Sequence, residues 1–177
     1  MNDPDTYHAF MLDYAAGNLS ESMAIAATIH RMMSHRGAEA AQVWNAVRTS
    51  LAPACLDLDG ASDPTEHFEK TASDIIHTDY GSVSWKRGLS GARTARLDDS
   101  QGSLMRLEPG DRVFSHGHST LEAMIVLEGA LDDGRAVFEA GDLVLATPGI
   151  RHRPSAAGNT ACTCFVARAD TPFWRFT

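Results

Sequence analysis

Residues 110–129, GDRVFSHGHSTLEAMIVLEG, decide how the second half of the chain is read. His116 and His118 stand one residue apart, and Glu122 follows four residues after the second. Side chains alternate faces along a strand, so the two imidazoles point the same way and make a ready pair of metal ligands. Glu122 adds a carboxylate. A second segment has to supply the rest, and residues 141–154, GDLVLATPGIRHRP, offer it. Gly141, Gly149 and the prolines there make tight turns, and His152 is the only histidine in that loop.

The surroundings of these segments read as β structure. After Gly81 come short runs rich in β-branched and apolar residues, VSWKRGL, ARTARLD, EAMIVLEGAL, RAVFEAGD, LVLATPG and ACTCFVARA, parted by turn residues. LDDGRAVF predicts a hairpin on an Asp133-Gly134 turn. Many short strands at regular spacing predict a sandwich or barrel.

The first 77 residues have a helical period instead. Tyr7, Met11, Tyr14 and Ala15 give a helix over 4–16 that stops at Gly17. Ser20 caps a second helix, with Glu21 in its first turn and a stripe of Ile25, Ile29, Met32 and Met33. Val43, Trp44, Val47 and Leu51 mark a third over 37–51. A fourth opens at DPTE, with Asp63 as N-cap, Pro64 at N1 and Glu66 at N3, and carries Phe68, Ala72, Ile75 and Ile76 along one stripe. Such a stripe packs on the protein's own helices or lies in a partner's groove. The reading is a multi-domain α plus β chain: a small N-terminal helical bundle, 1–77, and a β-barrel domain, 78–177, each with its own core.

Composition narrows the partners. Fifteen basic against 23 acidic residues give a net charge of −8, so direct nucleic-acid binding is not expected. No apolar run is long enough to cross a bilayer, and the acidic start MNDPDTYHAF has no signal-peptide pattern. Cys55, Cys162 and Cys164 form no disulfide framework. A cytoplasmic protein is expected.

The two histidine segments resemble the motifs of the cupin superfamily, G-x5-H-x-H-x3-E-x6-G and G-x5-P-x-G-x2-H-x3-N. Gly110, His116, His118, Glu122 and Gly129 fill the first at every position. Gly141, Gly149 and His152 fill the second in spacing, with the proline one place late at Pro148 and Ala156 in the asparagine position. The departures touch turns and spare the ligands. The resemblance implies a double-stranded β-helix, or jelly-roll, barrel in which His116, His118, Glu122 and His152 bind one divalent metal.

The helical half has a resemblance of its own. MLDYAAGNLSESMAIAATIHRMMSHRG, residues 11–37, is similar to the N-terminal domain of zinc-binding anti-sigma factors, in particular the ChrR-like members that join it to a cupin. The carrying pattern is L-x-x-YAAG-x-LSE, with Leu12 one place closer to the tyrosine, and a histidine at His30. VSWKRGLSGARTARL and the CTC strand also look like the ChrR cupin. The resemblance implies binding of an extracytoplasmic-function (ECF) sigma factor and a cupin that responds to oxidative stress, singlet oxygen among the signals. One departure is chemical. The family's C-x-x-C after the helical histidine is here Ser34 and Gly37, which make no zinc ligands. His35 lies about 140° around the helix from His30 and does not replace them. His8 and His30 are therefore remnants of a lost N-terminal site.

For the remaining residues, core packing is the default reading of Cys162 and Cys164, and a redox pair beside the metal the sharper one. Zinc is the expected metal, with Fe, Mn and Ni the alternatives. A cupin dioxygenase or isomerase with a homo-oligomerising helical half is the rival to a regulator.

Overall fold

The computed structural model describes residues 3–51, 66–97 and 102–169. The helical half comprises α1 (Pro4–Ala16), α2 (Glu21–Met33), α3 (His35–Leu51) and α4 (Glu69–Ile76), the last preceded by a 3-10 turn, Glu66–Phe68. Asp3 caps α1 by accepting from the Thr6 amide at 3.0 Å, and Gly17 ends it in the left-handed conformation. Ser20 holds the N-cap position of α2, but its hydroxyl makes no capping bond and is buried without a partner. The Asp63 and Pro64 start of the fourth helix and Cys55 lie outside the described residues.

The β half begins with β1 (Lys86–Arg87), β2 (Arg93–Arg96) and β3 (Ser103–Leu107). Then come β4 (His116–Gly117), β5 (Glu122–Glu128), β6 (Ala130–Asp132) and β7 (Val137–Glu139), and finally β8 (Leu143–Ala146), β9 (Arg151–His152), β10 (Ser155–Ala156) and β11 (Cys162–Arg168). A six-stranded antiparallel sheet runs β1-β2-β3-β11-β5-β8; β10-β6-β7 and β4-β9 make two smaller ones. The β6–β7 hairpin forms as expected, on a longer loop. Asp132 pairs with Val137, leaving four residues between, and the buried Asp133 carboxylate accepts from the amides of Arg135 and Ala136. A side chain that satisfies two amides stabilises this wider turn over a two-residue one.

The strands β5, β8 and β11 of the large sheet are buried on both faces. Met124 and Val126 of β5, Val144 of β8 and Cys162 and Cys164 of β11 point into the barrel with Leu107, Leu131 and Phe138. Ala123, Ile125 and Leu127, Leu143 and Leu145, and Phe165 and Ala167 point out, into one cluster with Tyr7, Phe10, Met11, Ile25 and Ile29. Two independent cores were expected; the outer face of the sheet and the helices share one. The reason is α2. Every position from 22 to 30 is buried, because α2 packs on α1, α3 and α4 and also on β5, β8 and β11. Its small residues Ala24, Ala26 and Ala27 let neighbours approach on all sides.

Two stripes differ from their expected roles. In α3 the buried face is Gly37 and Ala41, while Val43 is 59% and Leu51 77% exposed. In α4, Ala72 and Ile75 are buried in the shared core, with Phe68 and Ile76 half-buried against it. This protein's own α2 thus occupies the stripe that could have served a partner's groove. An ion pair from Arg31 to Glu69, at 2.5 Å, further ties α2 to α4.

A shared core predicts shared unfolding. In metal-free protein, helical circular dichroism and tryptophan fluorescence should report one coincident denaturant transition. Ile29→Ala should lower its stability by about 2–5 kcal/mol on both signals. Two separate transitions, with only the helical one shifted, would mean two independent cores.

Candidate metal centre

β4 and β9 pair antiparallel with His116 directly opposite His152. The link from β4 to β5 then brings Glu122 to the start of β5, on the barrel-facing side with Met124 and Val126. The four side chains read from the sequence meet here: one ligand atom from each of His116, His118, Glu122 and His152 lies within 4.8 Å of all the others. His152 Nε2 is 2.8 Å from His118 Nε2 and 3.2 Å from His116 Nε2. Glu122 Oε1 is 3.3 Å from His118 Nε2 and 3.9 Å from His152 Nε2.

The donor set fits a divalent cation. His116 donates from Nδ1 to the Phe114 carbonyl at 2.8 Å, which fixes its tautomer and turns the Nε2 lone pair inward. Three Nε2 atoms then face one point with few protons to share. His152 Nδ1 is buried without a hydrogen-bond partner. A cation at the convergent point would take up all three Nε2 lone pairs together and leave His152 Nδ1 as the donor side of its ring.

Burial, with the nearby His116, pushes the His152 imidazole down to about 4, well below its ordinary 6.5. Burial also lowers His118, against the Glu122 carboxylate, which raises it. Neutral imidazole is the form that ligates a metal.

One member of this site has no signal in either motif. Arg168, the last residue of β11, pairs in register with Glu122 and donates from Nε to Glu122 Oε2 at 2.9 Å. The contact joins residues 46 apart, so it becomes visible only once the strand register is known.

The other sequence candidates fall elsewhere. Cys162 and Cys164 are fully buried in the barrel core, with their sulfurs 3.6 Å apart. Their mutual hydrogen bond and burial push the Cys164 thiol well up, which keeps it neutral and a poor nucleophile. Cys164 pairs with Val126, four residues along β5 from Glu122, so its backbone position lies about 13 Å down the strand from that of Glu122.

His8 is exposed on α1, edge-on to the Tyr7 and Trp44 rings. His30 is buried and fully engaged. Its Nδ1 donates to the Gly141 carbonyl of the barrel at 2.7 Å, and its Nε2 accepts from the Tyr7 hydroxyl at 3.1 Å. Ser34 accepts from the Gly37 amide at 2.9 Å and donates to the His30 carbonyl at 3.0 Å. Gly37 has no room for a side chain, since a Cβ there would lie 2.4 Å from the His30 carbonyl oxygen. The place of the missing cysteines is thus a hydrogen-bonded joint between α2, α3 and the barrel. Gly141 reaches it through a left-handed turn, φ +89°, with a Cβ position only 2.7 Å from the Met33 carbonyl oxygen.

A jelly roll with three inward histidines and a glutamate is a cupin centre, and comparison with known proteins gives the branch. Residues 73–172 match the family model of the ChrR cupin-like domain, and the chain belongs to that family. The anti-sigma-E factor ChrR of Cereibacter sphaeroides is 28% identical over 188 aligned residues, covering 93% of this chain and 88% of ChrR. A solved structure, Rhodobacter sphaeroides SigE in complex with the anti-sigma ChrR, superposes with a TM-score of 0.73 at 28% identity. It covers 92% of this chain and 96% of that one. Both likenesses span the helical half as well as the barrel. Among the described residues, no helix is long and apolar enough to cross a membrane.

Two outcomes follow from this geometry. Below pH 6.5 the unfolded chain takes up a proton that folded His152 refuses. The stability of metal-free protein should therefore be full above about 6.5 and fall as the pH drops toward 4. The lowered His30 and His118 act in the same direction. Thermal melts across pH 4–8 check this, and a melting temperature that rises on acidification would contradict it. Second, His118→Ala removes a ring from the convergent set and should weaken metal binding at least about tenfold in a chelator competition, since each ligand adds directly to affinity.

Proposed function

We propose that this chain is an anti-sigma factor that holds an ECF sigma factor away from RNA polymerase, with a barrel that binds one zinc ion as its chemical sensor. The observation that carries the reading is the joint between the halves. β5, which presents Glu122 inward, presents Ala123 and Ile125 outward, and its neighbour β11 adds Phe165, into the core of the anti-sigma-like helices. Family membership and the likeness to ChrR over nearly the whole chain support the helical half as the sigma-binding part.

Zinc held by His116, His118, Glu122 and His152 would supply a Lewis-acid centre reachable from the barrel mouth, where His116 is only half-buried. The protein's own part is to hold those side chains in one arrangement and to carry any change in it through β5 and β11 to α2. Cys162 and Cys164 are a second candidate sensing element, reachable by an oxidant only on opening of the barrel. The sigma-facing surface is assigned to apolar side chains the helices leave exposed: Met32, Val43 and Leu51, with the exposed parts of Phe68 and Ile76. Ala72 and Ile75 join it only if α4 leaves α2.

Full-length protein should co-purify with one ECF sigma factor of its organism and carry close to one zinc per chain. Val43→Asp and Leu51→Asp should each weaken that complex by about 1–3 kcal/mol without lowering stability, as exposed anchor positions do. If no sigma factor associates at micromolar concentration, the regulator reading fails and a metal-dependent cupin enzyme takes its place. Two tightly held metals would mean that His8 and His30 still belong to a site.

A further inference from the structure

The two oxygens of Glu122 do different jobs. Oε1 faces the imidazoles, 3.3 Å from His118 Nε2. Oε2 accepts from Arg168 Nε at 2.9 Å. The carboxylate is 4% exposed, whereas the Arg168 side chain is 68% exposed, so the guanidinium reaches in from solvent to a buried anion. The backbone of Arg168 is fixed from two sides. Its β11 position pairs with Glu122 of β5, and Ser22 in the first turn of α2 donates to its carbonyl at 3.5 Å. Arg168 therefore touches both the metal centre and the helix that joins the halves.

We infer that Arg168 is a positioning residue that withholds Glu122 Oε2 from the metal and thereby limits how tightly the centre holds it. The inference rests on the reading of His116, His118, Glu122 and His152 as ligands of a divalent cation. Three effects share one sign. The guanidinium is a cation within reach of the site and opposes a second one. It neutralises part of the carboxylate charge that a metal would otherwise have to itself. In metal-free protein it is the cationic partner of a buried carboxylate, so its loss destabilises that state more than the metal-bound one. Outer partners that orient a ligand usually raise affinity. A cation bonded to the ligand's own anion does the reverse. The exposure of the guanidinium screens its field, which keeps the effect to about one order of magnitude. A centre restrained in this way exchanges or releases its metal more readily, as a sensor requires and a purely structural site does not.

The test uses full-length wild type, Arg168→Met and Arg168→Lys, titrated with zinc against a chromophoric chelator and melted with and without zinc. Arg168→Met should bind zinc about tenfold more tightly. Its metal-free melting temperature should fall while the zinc-bound one stays near wild type. Arg168→Lys, which keeps the cation, should lie close to wild type in both. Unchanged or weaker zinc binding by Arg168→Met, or an equal fall of both melting temperatures, overturns the inference and leaves the ligand assignment standing. A wild-type chain that binds no zinc, cobalt or manganese overturns both.

Discussion

The structure depends on one helix that is buried on every side over residues 22–30. α2 is covered there by three helices and by three strands, so no polar group in that stretch can be left unpaired. Alanines take the positions of closest approach, Thr28 returns its hydroxyl to the Ala24 carbonyl at 2.8 Å, and His30 bonds at both ring nitrogens. Removing either partner of such a buried bond leaves a polar group without water, at a cost of about 1–3 kcal/mol. The helical bundle and the barrel are held together by this burial, and the short α4, eight residues long, is stable because α2 gives it a surface to lie on.

The same constraint sets the metal centre a fixed distance from the helices. A strand buried on both faces carries two messages in alternate residues. In β5, Glu122 faces the imidazoles and Ala123, its neighbour in the chain, faces the helical core. In β11, Cys164 faces the barrel interior and Phe165 the helices. At β5, one thickness of sheet separates Glu122 from the helix layer. Displacement of β5 therefore displaces part of the floor on which α2 rests.

Much of this was legible in the sequence, and the failures have physical reasons. The four clustered side chains were readable because strand alternation puts His116 and His118 on one face and the cupin-like motifs add Glu122 and His152 to them. The first two helices were readable from their period and from Gly17. The shared core was not, although its signal is present: EAMIVLE has no polar–apolar alternation, as befits a strand buried on both sides. The third helix misled in part: Trp44 packs half-buried against the core, but Val43 and Leu51 are exposed, and the positions fully buried are Gly37 and Ala41, whose size carries no hydrophobic signature. Arg168 was invisible because an arginine at a strand end has no pattern until its cross-strand partner is known.

The joint at Ser34 and Gly37 also limits the sequences reachable from this one. Its parts depend on one another: Gly37 leaves the space through which its amide reaches the Ser34 hydroxyl, and His30 gives its Nδ1 proton to the barrel. Any residue with a Cβ at position 37 collides with the backbone of His30 before it can offer a new function. The junction of helices and barrel is thus tightest where it holds least, and what it requires at this point is the absence of a single carbon atom.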